Sequence, residues 1–202
     1  GSILTVPVLV YLADIPTKSA IITSLFVVGS TSLIATITHA SKKHVCWKTG
    51  AIFGSAGMLG AFSGGRLSAY IPDALLLILL ALVMLAASLS MLFKKAPIST
   101  EADIENHSFC PKELPVFAVL LDGFFLGIIT GLVGVGGGFL LVPALMHLAK
   151  LPVHAAIGTS LFIICLQSSA ALAGHYDHIA IDIELTIIIS CLAILGSFAG
   201  AK

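Results

Sequence analysis

The sequence predicts an all-α polytopic transmembrane helix bundle with two internal repeats, each holding a re-entrant or broken helix at a Gly-rich motif. Three observations carry that prediction. The 202 residues are 58% hydrophobic and only 10% charged, with a mean hydropathy of +1.11, whereas soluble domains carry about 25% charged residues. Apolar runs of bilayer length recur along the chain, about 20 residues being enough to cross the hydrocarbon core. The chain also resembles itself: residues 1–66 align without a gap on 137–202, with 22 identical pairs.

The elements follow in order. Residues 16–39, from Pro16 to His39, form a first candidate span, and 47–68 a second, with glycine or serine at nearly every turn. Residues 74–93 carry no charge; Pro72-Asp73 opens that run and Lys94-Lys95 closes it. The polar stretch from Lys94 to Glu113 reads as an aqueous loop. Residues 115–133 are apolar apart from Asp122, and the glycine cluster follows. The 13-residue run 137–149 is too short to span, and 152–174 and about 180–201 complete the set. The organisation predicted is a first transmembrane repeat at 1–93, a polar cytoplasmic linker at 94–114 and a second repeat at 115–202.

Within the repeat, Pro7 matches Pro143, Pro16 matches Pro152, and Thr23-Ser24-Leu25-Phe26 matches Thr159-Ser160-Leu161-Phe162. His39 falls on His175, Gly60 on Gly196 and Gly64 on Gly200. Apolar composition alone does not align prolines, a TSLF block and a histidine in one register, and internal duplication is a mark of transporters. Repeat one lacks a counterpart of 115–136 and repeat two lacks one of 73–93, so terminal segments are expected beyond this chain. Gly1-Ser2 is either the remnant of a glycine run or a cloning scar.

If 115–149 is one broken span, the repeats are parallel; if 115–133 and 137–149 make a re-entrant hairpin, they are inverted. Lysine and arginine concentrate in cytoplasmic loops. The inverted arrangement puts eight of them inside (Lys42, Lys43, Lys48, Lys94, Lys95, Lys112, Lys150, Lys202) and two outside (Lys18, Arg66). The parallel one gives six against four, so inversion is favoured on two residues.

The stretch GLVGVGGGFLLVP, from Gly131 to Pro143, would then lie at a hairpin tip. Off-helix backbone in a membrane is tolerated only where protein buries it or where it lines a cavity. Gly137 or Gly138 would open a half-helix whose unpaired N–H groups and dipole favour an anion, and Gly134, Gly136, Gly137 and Gly138 would let the backbone approach it. The matching half-helix, near Gly1 and Ser2, would enter from the opposite face, so two positive ends meet near the midplane. The bland alternative is glycine-mediated helix packing, which is preferred for Gly60/Gly64 and Gly196/Gly200. A dinucleotide loop is excluded, since G-x-G-x-x-G would require glycine where Phe139 stands.

Thr23, Ser24, Thr159 and Ser160 are candidate hydroxyl donors to that anion, with a bond to the carbonyl one turn back as the alternative. Gln167 and its repeat mate Thr31 are candidate cavity residues, because a mid-span glutamine must find a partner. Asp122, His39 and His175 are candidates for proton coupling or gating, against the alternatives of a solvated carboxylate and interfacial anchors. The four cysteines, Cys46, Cys110, Cys165 and Cys191, are scattered and suggest neither a disulfide framework nor a metal site. No basic n-region precedes the first apolar segment, so a signal peptide is not expected. The zero net charge without a basic tract speaks against nucleic acid. No nucleophile–base pair recurs, so neither an enzyme nor a cofactor is expected.

GLVGVGGGFLLVPALM, followed by LPVHAAIGTSLFIICLQSSAALAGH, resembles the TauE/SafE family of membrane transporters, also called sulfite exporters. The likeness extends over nearly the whole chain through the two repeats. Repeat one departs from it at Ile22, where repeat two has Gly158, and in its shortened glycine run. The resemblance implies transport of sulfite, organosulfonates or related sulfur-containing anions across a multi-pass inner-membrane protein, with export favoured. The expected partners are thus a small anion and the lipid bilayer, with protons as a candidate coupling ion and homo-oligomerisation left open. An anion channel using the same helix ends, and a membrane scaffold or accessory protein, are the rival readings.

Overall fold

The apolar runs become helices close to where the sequence places them. The structure is a computed structural model and describes residues 2–12, 14–41, 45–93, 116–134, 138–148, 151–175, 186, 189–193 and 196. Among these lie α1 (Ser2–Tyr11), α2 (Thr17–Ser41), α3 (Trp47–Ser68), α4 (Asp73–Phe93), α5 (Val116–Val133), α6 (Gly138–Leu148) and α7 (Val153–His175). The 94–114 linker and most of the expected 180–201 span lie outside the described residues.

Prolines set three helix starts. The carbonyls of Pro16, Pro72 and Pro152 accept from the N–H groups of Ala20, Leu75 and Ala156 at 3.0, 3.0 and 2.9 Å. Proline fits there because the first N–H groups of a helix have no intrahelical partner. Pro7 and Pro143 instead lie inside α1 and α6, which have only 10 and 11 residues. At ~1.5 Å per residue each is about 16 Å long, roughly half of a ~30 Å hydrocarbon core.

Small residues fix how the long helices pack. A methyl group on Gly60 would collide with the carbonyl of Phe124, and one on Gly64 with that of Ile128. Reciprocally, Gly127 lies against the Gly57 carbonyl and Gly131 against that of Ala61. The backbones of α3 and α5 therefore touch, and because partner numbers rise together the two helices run parallel. Gly50 faces Phe162, Gly54 faces Leu166 and Gly174 faces Phe62, so α7 is also parallel to α3. The preference for packing at Gly60/Gly64 holds; Gly196 has no described atom within 4 Å of a methyl placed on it.

α2 runs the other way. Lys18, at its start, donates through Nζ to the carbonyl of Ala69, just past the end of α3, at 3.0 Å. α2 and α7, which the repeat superposes in sequence, are thus antiparallel in space. α6 in turn runs back along α7, with Gly138 against Ile164 and the Leu151 N–H on the Leu145 carbonyl at 3.4 Å.

Two buried clusters fill the interior. Phe53, Val119, Leu141, Leu145 and Ile163 join α3, α5, α6 and α7. Val6, Ile21, Leu76, Leu80 and Val133 join α1, α2, α4 and the end of α5. The outside is apolar too: Leu59, Phe62, Leu82, Leu85, Phe117 and Phe125 are all exposed. A surface of that kind is stable in lipid and aggregates in water. α2 and α7 are each long and apolar enough to cross a bilayer. The cysteine spacing does not suggest a disulfide, yet buried Cys46 is disulfide-bonded.

Candidate functional site

The glycine-rich break begins with a cap. The N–H of Gly134 donates to the Thr130 carbonyl at 2.9 Å, and at φ +72° Gly134 occupies the left-handed conformation that commonly ends helices. Any side chain there would also meet Ile21, whose Cγ2 lies 2.6 Å from the position of a Cβ. The Gly134 carbonyl accepts from Ser24 Oγ at 2.9 Å, both groups being buried. Gly136 and Gly137 lie outside the described residues, as does Gly1; Ser2 opens α1.

Gly138 opens α6 and packs on Ile164, the middle residue of α7. The N-terminus of α6, whose first N–H groups have no intrahelical partner and which carries the positive end of its dipole, therefore lies beside the middle of α7.

The structure separates the two hydroxyl pairs. Thr23 Oγ1 is 3.3 Å from Thr186 Oγ1, on the Ser24–Gly134 side. Thr159 Oγ1 accepts from the Cys46 N–H at 3.0 Å, by the start of α3. Because α2 and α7 are antiparallel, the two pairs lie about two turns in from opposite ends of the bundle. Ser160 Oγ donates to the Ile157 carbonyl at 2.8 Å. Thr31 Oγ1 contacts the carbonyls of Val27 and Val28 at 2.8 and 3.1 Å, which is the local bond that competes with any ligand.

Gln167 is different. It is 0% exposed, and neither Nε2 nor Oε1 has a hydrogen-bond partner. Its side chain lies in the notch left by Gly57, the middle of α3, with Cδ 2.9 Å from the position of a Gly57 Cβ. Ser168, 1% exposed, also has an unpartnered Oγ and packs on Gly29, the middle of α2, with its Cβ 3.3 Å from the position of a Gly29 Cβ. Leaving such a group buried and unpaired costs about 1–3 kcal/mol.

His175 is buried. Its Nδ1 donates to the Ala171 carbonyl at 2.8 Å, and its Nε2 is 2.8 Å from Ser68 Oγ. That hydroxyl is also 2.7 Å from the Gly65 carbonyl. One hydroxyl proton cannot serve both neighbours. In the neutral ring Ser68 donates to Nε2; in the doubly protonated ring Nε2–H donates to Ser68, freeing its proton for Gly65. His39 is half-buried in the last turn of α2, and Asp122 is half-buried on α5. Ser68, Gly57 and Gly29 escape sequence reasoning because only tertiary contact gives them a role. The glycine and serine frequency in 47–68 was the available hint.

An apolar exterior, two helices long and apolar enough to cross a bilayer and unpartnered polar side chains in the interior fit a helical membrane protein. The sequence matches the family described as Sulfite exporter TauE/SafE over residues 1–202, and the chain belongs to that family. It is 37% identical over 187 residues to a "Probable membrane transporter protein" of Xylella fastidiosa (strain 9a5c), covering 90% of this chain and 68% of that one. A protein of the same name from strain Temecula1 is 38% identical over 166 residues, covering 80% of this chain and 60% of its own length. Another from Methanocaldococcus jannaschii is 30% identical over 216 residues, covering 100% and 78%. The chain thus spans 60–68% of the Xylella relatives' length. No solved structure matches it.

Proposed function

We propose that the protein exports a small sulfur-containing anion, such as sulfite or an organosulfonate, across the cell inner membrane by alternating access. The observation that carries this reading is the N-terminus of α6 beside the middle of α7, directly after the glycine break. In this account α5 and α6 form a re-entrant hairpin, α1 is the matching half-helix, and the anion is held between their N-termini in the broken-helix manner of transporters. The sulfur chemistry and the export direction rest on the family's description.

Several contacts favour two inverted repeats. The Leu9–Ile15 and Leu145–Leu151 backbone bonds recur 136 positions apart, as do Pro16–Ala20 and Pro152–Ala156. Thr23 meets Thr186 while Thr159 lies beside Gly50, the repeat mate of position 186. The antiparallel course of α2 and α7 fits inversion and not a parallel duplication. Protons are the proposed coupling ion, since the Ser68–His175 pair accommodates either protonation state of the ring.

Flux in proteoliposomes tests the reading. Saturable sulfite movement that depends on a proton gradient supports it, whereas rates far above those of enzyme turnover favour an anion channel. No movement of sulfite, sulfonate or sulfate by the full-length protein would favour an accessory role.

A further inference from the structure

Gln167 and Ser168 stand three and four positions beyond Ile164 on α7, and residues so spaced lie on one helix face. Ile164 is where Gly138 begins α6. Gln167 reaches into the Gly57 notch of α3 and Ser168 packs against Gly29 of α2, so the unpartnered amide and hydroxyl stand about one helical turn along α7 from the α6 N-terminus. The middles of α2 and α3 close the other sides through Gly29 and Gly57.

The chemistry of this centre is specific. The α6 N–H groups and Gln167 Nε2 only donate, and Ser168 Oγ can donate. Gln167 Oε1 only accepts, and it has no partner. Among the described residues the lysines and arginine lie at helix ends, as Lys18, Lys48 and Arg66, so none of them is available as a fixed cation beside the middle of α7. A ligand satisfying all these groups presents several acceptor oxygens and one O–H.

Resting on the transport reading, we infer that Gln167, Ser168 and the α6 N-terminus form one central station that selects a protonated oxyanion, with hydrogen sulfite as the type. Gln167 Nε2 and the α6 amides donate to its oxygens, and its O–H donates to Gln167 Oε1. A dianion, or a monoanion without a proton to donate, leaves Oε1 facing an oxygen. Thr31, at the repeat-related position, is bonded within its own helix, so the side-chain amide of the station comes from the second repeat alone.

The test uses full-length protein in proteoliposomes with two probes, sulfite and methanesulfonate. At a pH where sulfite is mainly hydrogen sulfite both carry one charge, but only hydrogen sulfite has a proton to donate. The wild type should show a KM for sulfite about tenfold below that for methanesulfonate. Gln167→Leu should erase that preference while the protein remains in the membrane with an unfolding temperature no lower than the wild type's. Gln167→Glu, which puts a second negative charge at the station, should stop transport of both. Wild-type sulfite transport with an unchanged preference in Gln167→Leu would overturn the inference and leave the transport reading standing. A wild type that moves neither ion would overturn both.

Discussion

Ser24 Oγ donates a 2.9 Å hydrogen bond to the carbonyl of Gly134, across 110 residues of sequence. That bond ties α2 to the point where α5 stops, and Gly134 at φ +72° meets Ile21 of the same helix. Gly134→Ala should cost about 2 kcal/mol or more, from the left-handed conformation and the contact with Ile21. The thermal midpoint in detergent should fall by about 5 °C. Ser24→Ala, which only removes a bond, should cost about 1 kcal/mol.

The direct backbone contact between α3 and α5 predicts a sharp asymmetry on α3. Gly64→Val forces a branched side chain into the Ile128 carbonyl and should destabilise by about 3 kcal/mol, with loss of monodisperse protein on gel filtration. Leu59→Ala, on the exposed side of the same helix, should leave the elution profile unchanged.

Helix direction is testable by chemistry from the two faces of a membrane. Lys18 and His154 lie at the starts of α2 and α7, which are antiparallel. With native thiols blocked or replaced, Lys18→Cys and His154→Cys should react with an impermeant maleimide from opposite sides. Labelling of both from one side would contradict the fold.

Removing the hydroxyl beside His175 tests that buried pair. Ser68→Ala leaves Nε2 without its partner at 2.8 Å and should cost about 1–3 kcal/mol. Ser68→Thr, which keeps a hydroxyl, should retain most of the stability, both read by thermal unfolding in detergent.

Much of the fold is legible in the sequence for one reason: lipid imposes length and composition on each helix, so runs such as 152–174 announce themselves. The half-helices are legible as well, because an 11-residue α6 cannot reach across a bilayer. Side-chain roles are less so. Thr31 looks like a cavity hydroxyl, yet in an apolar helix the nearest acceptor is its own preceding turn, and it bonds there. Thr23 and Thr159 are mates by repeat, but their partners, Thr186 and the Cys46 N–H, are set by tertiary contact that the sequence does not show. Ser68 has no local signal, since its histidine lies 107 residues away. Gln167 can be singled out from sequence, because an amide at mid-span always requires a partner. Its notch at Gly57 depends on helix register, which composition does not encode.

The central claim is anion passage past the α6 N-terminus, and Gly137→Val measured by radiolabelled sulfite flux in proteoliposomes tests it most directly. The account predicts saturable flux for the wild type and loss of flux for the variant, with equal amounts of both reconstituted in the membrane. Full flux in Gly137→Val would contradict it.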